Sequence, residues 1–343
     1  MSHVVLTSGW IVGSCRGGDA QEQMDLILAI DGGGSRTRCL AIQRDGQVIG
    51  ESTTGPSNHL LIEGDLVKRS LDDAINEALL CAGVNREDVR CLSAGLAGVD
   101  FDGAGAFEME TLLHDLGFPS TVVNGDMVIG HAGALRLKPG VIALAGTGSV
   151  VLGIGTQGER VKVGGWGPVY GDEGSAYRIG QMSLRAAAKM VDGRGPKTAL
   201  TEALLGALGL KEFKETISRV YVEEMQPREI AALTRVAYQV AEVGDEVARN
   251  IFLCAGKELA ESVEAAIRLL KLDQSEALVS YQGAVLESCS LLRKQFVETL
   301  NHDMPKASIV PPAFEPVIGA YLLGCESLGW QVNCEMIEKL NQR

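Results

Sequence analysis

The sequence DGGGSRT, at residues 31–37, places a carboxylate, three glycines and two hydroxyl groups directly after an apolar run. The run, Leu26–Ile30, is typical of a buried strand, and the glycines let the backbone turn sharply. Amide groups in such a turn, helped by the hydroxyls of Ser35 and Thr37, form a concave site that suits phosphate. Asp31 at the strand end can hold a metal ion through water. An ordinary glycine-rich turn is the alternative, because such turns are common.

A second stretch with the same chemistry occurs later in the chain. Val141–Ala145 is again an apolar run that predicts a buried strand, and Gly146-Thr147-Gly148-Ser149 follows it directly. The chain therefore contains the same unit twice, with weak identity between the copies. Each unit is a strand, then a turn rich in glycine and hydroxyl residues, then a second strand. We interpret this repeat as two lobes that close on one nucleotide. A tight β-turn without a ligand is the alternative for the second stretch alone.

Two further carboxylates lie beside glycines. Asn124-Gly125-Asp126 follows a short strand predicted over Thr121–Val123 and precedes a helix, where an Asp commonly caps the N-terminus. The segment 164–174 (GGWGPVYGDEG) is a glycine-dense loop in which a ligand can lie against the backbone and Asp172 can accept hydrogen bonds. The residues alone leave open whether Asp126 is a helix cap or a chemical group.

The composition argues against several kinds of partner. The net charge is −13, from 31 basic and 44 acidic residues, whereas basic residues dominate a nucleic-acid surface. No segment approaches the roughly 18 apolar residues of a membrane-spanning helix, and the N-terminus lacks the pattern of a signal peptide. Eight cysteines include no C-x-x-C pair, which indicates core residues in a reducing compartment. We therefore predict a cytoplasmic protein with neither nucleic acid nor a membrane as partner.

Strands and helices alternate along the chain and predict an α/β fold. Asp45-Gly46 predicts a hairpin after the first turn, and apolar residues recur at helical spacing over Glu63–Cys81. Val89–Leu96 predicts another buried strand. Beyond the glycine-dense loop the chain is predicted to be mostly helical as far as Leu270. Residues 1–24 precede the first strand and are predicted to be an N-terminal extension.

In their order along the chain, these motifs resemble those of the N-acetylglucosamine kinases, within the BadF/BadG/BcrA/BcrD-type ATPases. The resemblance spans roughly residues 25–330 and rests on DGGGSRT (31–37), SNH (57–59), AGLAG (94–98), NGD (124–126), AGTGS (145–149), GGWGPVYGDEGSAYRIG (164–180), GA (283–284) and PxxGAYLLG (316–324). The run at 164–180 is the most specific of these and indicates the amino-sugar kinase branch.

The resemblance implies a particular two-lobed fold. Two actin-like (ribonuclease H-like) lobes are expected, with an ATP and sugar cleft between them. Residues 25–140, joined by the C-terminal segment 315–343, would form lobe I. Residues 141–314 would form lobe II, with a helical insert over about 175–270.

The resemblance also assigns roles to individual residues. Asp126 is the expected general base, and Asp31 is expected near Mg²⁺, through water. The expected sugar contacts are Asn58, Gly98, Asp100, Asp126, Gly164, Gly165 and Asp172. The expected ATP contacts are Gly33, Gly34, Ser35, Thr37, Gly146, Thr147, Gly148, Gly283, Ala284 and Ser288. A structural role is the alternative for several of them: a turn residue for Asn58, a solvated loop acid for Asp100, and helix–strand packing for Gly283.

The expected activity is ATP-dependent phosphorylation of an amino sugar. The favoured substrate is N-acetylglucosamine, phosphorylated at its 6-hydroxyl, and the enzyme is expected to be a homodimer. Kinases for glucosamine or N-acetylmuramic acid remain open, as do an ATPase that activates or regulates another enzyme and a non-catalytic scaffold. The P-loop pattern G-x-x-x-x-G-K-[ST] does not occur. Gly146-Thr147-Gly148 also lacks the third glycine of a dinucleotide fingerprint, which disfavours an oxidoreductase.

Overall fold

The computed structural model describes residues 25–100, 102, 105–272 and 276–342 of the chain. The extension predicted over residues 1–24 lies outside the described residues. Within these residues, two five-stranded mixed sheets organise the fold, and helices pack on both faces of each sheet. The predicted α/β class is therefore confirmed.

The first sheet consists of β1 (Leu26–Gly32), β2 (Thr37–Gln43), β3 (Val48–Thr54), β4 (Val89–Leu96) and β5 (Thr121–Gly125). Their order is β3-β2-β1-β4-β5, with β1 antiparallel to β2 and parallel to β4. The side chains of residues 26–30 in the central strand β1 are fully buried, because a strand covered on both faces must be apolar throughout. The first glycine turn therefore starts at the middle of a sheet.

The second sheet consists of β6 (Gly140–Ala145), β7 (Ser149–Ile154), β8 (Arg160–Gly164), β9 (Ala277–Gln282) and β10 (Ala307–Ile309). Its order is β10-β9-β6-β7-β8. When it is read from β8, this order repeats that of the first sheet, and β6, like β1, is antiparallel to the strand that follows it (β7) and parallel to β9. The repeat predicted from the two glycine turns is therefore confirmed. The spacing G-x-G-x-x-G does occur at residues 153–158. It lies in the β7–β8 hairpin rather than between a strand and a helix, as a dinucleotide site would require.

The helices of the described residues are α1 (Gly64–Ala82), α2 (Ala106–His114), α3 (Asp126–Leu135), α4 (Ala176–Val191), α5 (Leu200–Leu208), α6 (Glu215–Ile217, continued by a π-helical turn at Ser218–Val222), α7 (Pro227–Glu242), α8 (Glu246–Leu269), α9 (Ala284–Ser288), α10 (Ser290–Asp303), α11 (Pro316–Ser327) and α12 (Cys334–Asn341). The helix predicted over Glu63–Cys81 is confirmed as α1, and the stretch between the glycine-dense loop and Leu270 is mostly helical, as predicted. α1 ends at Gly83, whose φ of 67° gives the left-handed conformation that terminates many helices. None of the helices in the described part of the chain has both the length and the apolar character needed to cross a membrane.

The cores show how the helices are distributed. α1 and α2 pack on one face of the first sheet, and α11 and α12 pack on the other. The helices α4, α7, α8 and α10 share a large core with one face of the second sheet, whose other face packs against α3. Seven described cysteines are unpaired, and four of them are core residues: Cys39, Cys91, Cys289 and Cys325.

α3 and α11 cross with their backbones in contact. A Cβ at Gly133 would lie 2.7 Å from the carbonyl oxygen of Glu315, and one at Gly319 would overlap the carbonyl oxygen of Ile129. Glycine is therefore required at this crossing. Because α3 also packs against the second sheet and α11 against the first, the crossing connects the two halves of the fold.

We expect Gly319→Ala to lower the free energy of unfolding by about 1–3 kcal/mol, the usual cost of overpacking, or more if the backbones separate. Urea denaturation would measure it. Gly206→Ala is the matched control, because Gly206 lies in α5 and a Cβ there would meet nothing within 4 Å. The control should be neutral or more stable by about 0.4–1 kcal/mol. Equal stability of the two variants would contradict the backbone contact.

Candidate active site

A cleft of about 720 Å³ lies where β1 and β6 end. Both sheets, the loops beside them and the first residues of α3 and α11 contribute to its lining: Asp31, Asn58, Asp126, Met127, Leu144, Gly146, Gly148, Ser149, Val150, Gly165, Asp172, Gln282 and Pro316. Seven residues that were predicted from the sequence therefore meet in one cleft: Asp31, Asn58, Asp126, Gly146, Gly148, Gly165 and Asp172.

The first glycine turn is closed by a hydrogen bond from the Gly33 N–H to the carbonyl of Arg36, at 2.9 Å. Gly34 and Ser35 are exposed at its tip. A Cβ at Gly32 would overlap the hydroxyl of Ser57, so glycine is required there by the close approach of the following loop. The exposed tip leaves Ser35 accessible to a ligand.

The position of Thr37 differs from the prediction. Its side chain is fully buried, and its hydroxyl donates to the carbonyl of Gly55 and lies 2.8 Å from the Ser57 hydroxyl. A phosphate cannot reach a hydroxyl that has no exposed surface. Thr37 instead ties the loop that contains Asn58 to the first turn, because both of its partners are in that loop.

Asn58 is both a turn residue and a lining residue of the cleft. Its Oδ1 accepts the Leu60 N–H at 2.9 Å, which is an Asx turn of the kind that the sequence left open. A Cβ at Gly98 would lie 2.9 Å from this Oδ1 and 2.7 Å from the ring of His59. With a φ of 101°, Gly98 is needed for both its conformation and this close approach.

The second glycine turn is held by the helix that follows the glycine-dense loop. The carbonyl of Gly146 accepts the Ala176 N–H at 2.9 Å, and that of Thr147 accepts the Tyr177 N–H at 3.1 Å. The Ser149 hydroxyl donates to the carbonyl of Glu173 at 2.6 Å. These bonds fix the turn against α4, with Gly146 and Gly148 on the side of the cleft.

Asp172 lies against this second turn. Its Oδ1 accepts the Ser149 N–H at 3.4 Å, and a Cβ at Gly148 would lie 3.0 Å from its Oδ2. Asp172 also has a φ of 59°, in the left-handed region that few non-glycine residues adopt. Since its side chain is almost fully buried but borders the cleft, Asp172 connects the glycine-dense loop to the second glycine turn.

Asp126 is the first residue of α3, and Gly125 occupies the N-cap position. The Oδ1 of Asp126 accepts the Met127 N–H at 2.8 Å. Burial raises the pKa of this carboxyl, and the nearby charge of Asp100 raises it further. A carboxylate with a raised pKa is a stronger base than an ordinary one.

The other carboxyl groups of the cleft are also shifted. Burial raises the pKa of Asp31 to about 6, and the charges of Asp126 and Glu315 add to this effect against the opposing charges of Arg36 and Arg38. Burial, together with the charge of Glu173, raises the pKa of Asp172. The site therefore has an excess of negative charge, and a bound cation would relieve it.

The two carboxylates Asp31 and Asp126 fit the donor chemistry of Mg²⁺. This ion prefers oxygen ligands and usually keeps several waters, with one or two carboxylates and the phosphates of the substrate. No group of three or more metal-ligating side chains occurs among the described residues. Two carboxylates would suit an ion that takes its other ligands from water and a nucleotide, rather than an ion in a closed protein site.

Some predicted residues lie outside the cleft lining. Gly283 is the N-cap of α9, with a φ of 103° and its N–H bonded to Glu287 Oε1 at 2.9 Å. Ala284 and Ser288 are exposed one helical turn apart on α9. Asp100 is paired with Lys162. Gly164 ends β8 with a φ of 73°.

Gln282 lines the cleft but was not predicted from the sequence. It ends β9 and is only 7% exposed. Its Nε2 donates to the carbonyl of Phe314 at 3.3 Å, whereas its buried Oε1 has no partner within the described part of the chain. The available signal was a polar residue before a glycine at the end of an apolar strand. Gln282 and Gly283 stand at the end of β9 in the same way as Asp31 and Gly32 stand at the end of β1.

This fold and site place the chain in a known class. It belongs to the BadF/BadG/BcrA/BcrD ATPase family, whose sequence pattern matches residues 28–324, and ATP is the nucleotide that this membership implies. It is 33% identical to the N-acetylmuramic acid/N-acetylglucosamine kinase of Clostridium acetobutylicum over 88% of this chain and 98% of that protein. It is 30% identical to the N-acetyl-D-glucosamine kinase of Dictyostelium discoideum, with the same coverage.

A solved structure supports the fold. The protein, from Chromobacterium violaceum, is proposed to be an N-acetylglucosamine kinase. It superposes with a TM-score of 0.70 over 88% of this chain and 99% of its own, at 25% identity. The predicted family and the two-lobed kinase fold are thereby confirmed. The individual roles of the site residues stay predictions.

We expect Asp31→Asn to stabilise the ligand-free protein at neutral pH. The pKa of Asp31 is raised to about 6 in the folded protein. The contribution of this carboxyl to the free energy of unfolding is therefore greatest at low pH and is lost as the pH rises through 6. At pH 7.5 the variant should be more stable by about 1–3 kcal/mol, since each pKa unit corresponds to about 1.4 kcal/mol. The difference should shrink towards pH 4.

Thermal unfolding between pH 4 and pH 8 would measure this difference. The control is Asp73→Asn, which removes an exposed carboxylate of α1 (57% exposed) and should leave the stability nearly unchanged at every pH. A destabilised Asp31→Asn variant at pH 7.5 would show that burial does not penalise the Asp31 charge.

Proposed function

We propose that the protein is an amino-sugar kinase that transfers the γ-phosphoryl group of ATP to the 6-hydroxyl of N-acetylglucosamine. One observation carries the proposal: Asp31, which directly precedes the first glycine turn, lines one cleft together with Asp126 and with Gly146 and Gly148 of the second turn. The names of the two relatives support the choice of sugar, because both include N-acetylglucosamine.

The two glycine turns would hold the phosphates of ATP. Amide groups of Gly34 and Ser35 would act from the first turn, and those of Thr147 and Gly148 from the second. Gly33 and Gly146 would shape the turns, because their N–H groups are bonded to the carbonyls of Arg36 and Gly148. Asp31 would hold Mg²⁺ through water. When bound, Mg²⁺ neutralises the charge of the phosphates. The exposed Ala284 and Ser288, with Gly283, would receive the adenosine.

Asp126 would act as the general base. Its Oδ1 is held by the Met127 N–H, so the carboxylate has a fixed orientation towards the cleft. It would accept the proton of the sugar hydroxyl and direct the oxygen at the γ-phosphorus for in-line transfer. A positioned acid or base typically contributes about 10²–10⁴-fold in rate.

The sugar would lie between Asn58 and the glycine-dense loop. The Oδ1 of Asn58 is occupied by the turn, so its amide donors are the part left for a sugar hydroxyl. Gly98, Gly164 and Gly165 would let the ring approach the backbone. Asp172 and Asp100 would accept hydrogen bonds from hydroxyl groups.

Wider assignments follow from the resemblance. We propose a homodimer in the cytoplasm, with a small-molecule sugar as partner and neither nucleic acid nor membrane. Residues 25–140 with the C-terminal segment from 315 would form lobe I, and residues 141–314 lobe II. Closure of the lobes would exclude water, because ATP would otherwise be hydrolysed.

We expect Asp126→Asn to lower the kcat for N-acetylglucosamine by about 10²–10⁴-fold, because the amide cannot accept the hydroxyl proton. Binding of ADP, measured by calorimetry, should remain. ADP release from Mg-ATP with a panel of amino sugars, and detection of the phosphosugar, would measure the effect. Asp73→Asn is the control and should keep full activity.

The opposite result has a clear form. If no sugar stimulates ATP turnover, and Asp126→Asn leaves that turnover unchanged, the proposed kinase activity is contradicted. An ATPase that regulates another enzyme would then be favoured. Sugar-stimulated turnover that survives in Asp126→Asn would leave the kinase in place but exclude Asp126 as its base.

A further inference from the structure

An ion pair joins the two halves of the fold beside the cleft. Lys162 is on β8 of the second sheet, and its Nζ lies 3.0 Å from both carboxylate oxygens of Asp100. Asp100 follows β4 of the first sheet, two residues after Gly98. The pair therefore connects strand β8, which ends at Gly164, to the loop that contains Gly98, and both glycines belong to the expected sugar site.

The positions of the two side chains place the pair next to the cleft. The stem of Lys162 runs along Gly165, a lining residue, because a Cβ on that glycine would lie 3.7 Å from Lys162 Cε. On the other side, the Asp100 carbonyl oxygen would lie 3.4 Å from a Cβ on Gly125, the residue before Asp126. The Lys162 side chain therefore lies beside Gly165, and the backbone of Asp100 lies beside the residue that precedes Asp126.

The charge of Lys162 is important because the cleft is otherwise acidic here. Asp126 and Asp172 line it together with Asp31, and Asp100 adds a fourth carboxylate at its edge. The Lys162 and Asp100 side chains are only 26% and 39% exposed, so their charges are screened less than those of a surface pair. A ligand with a positive charge near Asp100 would meet the ammonium group of Lys162.

We propose that Lys162 is a specificity-determining residue, which disfavours amino sugars with a charged amine and so selects neutral, N-acylated sugars. This inference rests on the proposed function. Glucosamine carries an ammonium group at neutral pH, whereas its N-acetyl derivative is uncharged. With Lys162 beside it, the Asp100 carboxylate already has a cationic partner and would compensate an ammonium group less well.

The test separates charge from shape with three sugars. Glucosamine and glucose differ mainly in the charged amine, so the ratio of their inhibition constants as competitors of N-acetylglucosamine reports the charge effect. In Lys162→Met, which keeps the apolar stem, we expect the affinity for glucosamine relative to glucose to rise about tenfold or more. The ratio of the KM for N-acetylglucosamine to the inhibition constant of glucose should stay within about twofold of the wild-type ratio.

A second variant should move the ratio in the opposite direction. Asp100→Asn keeps the shape of the side chain and removes the negative charge that faces Lys162, so the affinity for glucosamine relative to glucose should fall. If the ion pair only connects the two halves of the fold, both variants should change the affinities for all three sugars by the same factor. That result, or a wild-type enzyme that prefers glucosamine to N-acetylglucosamine, would overturn the proposal.

The outcomes distinguish the two levels of inference. If the wild-type protein phosphorylates N-acetylglucosamine but the ratios do not move in folded variants, checked by thermal unfolding, only the role of Lys162 fails. If the wild-type protein phosphorylates none of the sugars, the proposed function fails and the role of Lys162 fails with it.

Discussion

The backbone contact between α3 and α11 determines where the chemical groups of the cleft can lie. α3 begins at Asp126, and α11 begins at Pro316, which also lines the cleft. Because Gly133 and Gly319 let the two helices touch, the beginning of α3 is held close to the end of β1, against which α11 packs. The pair of carboxylates Asp31 and Asp126 is a consequence of this crossing. Arg38, which pairs with Glu315 at the start of α11, adds a polar tie at the same place.

The close approach of three carboxyl groups explains the electrostatic character of the cleft. Bringing Asp31, Asp126 and Asp172 into a partly dry space raises the pKa of each carboxyl group, mainly through burial. Such an arrangement costs stability in the ligand-free protein and is typical of sites that bind cations or move protons. The expected ligands, Mg²⁺ and the hydroxyl groups of a sugar, would satisfy these groups. The excess of acid is therefore explained by function rather than by folding.

The second determinant of the site is the way in which loops are fastened to the glycine turns. Thr37 and Ser57 hold the Asn58 loop to the first turn, and Asp172 and Ser149 hold the glycine-dense loop to the second. Each glycine turn is thus fastened to a loop that carries one side of the expected sugar site. Movement of one half of the fold would carry its glycine turn and its expected sugar contacts together, which would suit an enzyme that must exclude water before phosphoryl transfer.

The sequence by itself determined the repeat of the two strand–turn units, the α/β class and most of the residues that line the cleft. These predictions succeed because the relevant signals are local: an apolar run, glycines and a polar residue lie within a few positions of one another. Resemblance over the whole domain then indicated the family. The predicted roles of the individual residues, such as the base Asp126, remain to be tested by experiment.

Only the tertiary structure decided which neighbours the polar side chains meet. Thr37 is buried against residues 18 and 20 positions away, Gln282 reaches Phe314 across 32 positions, and Lys162 meets Asp100 across 62. No local pattern records such pairs, because they depend on how distant strands and helices pack. For this reason the sequence placed Thr37 at the phosphates, missed Gln282 and could not show that the charge of Asp100 is compensated.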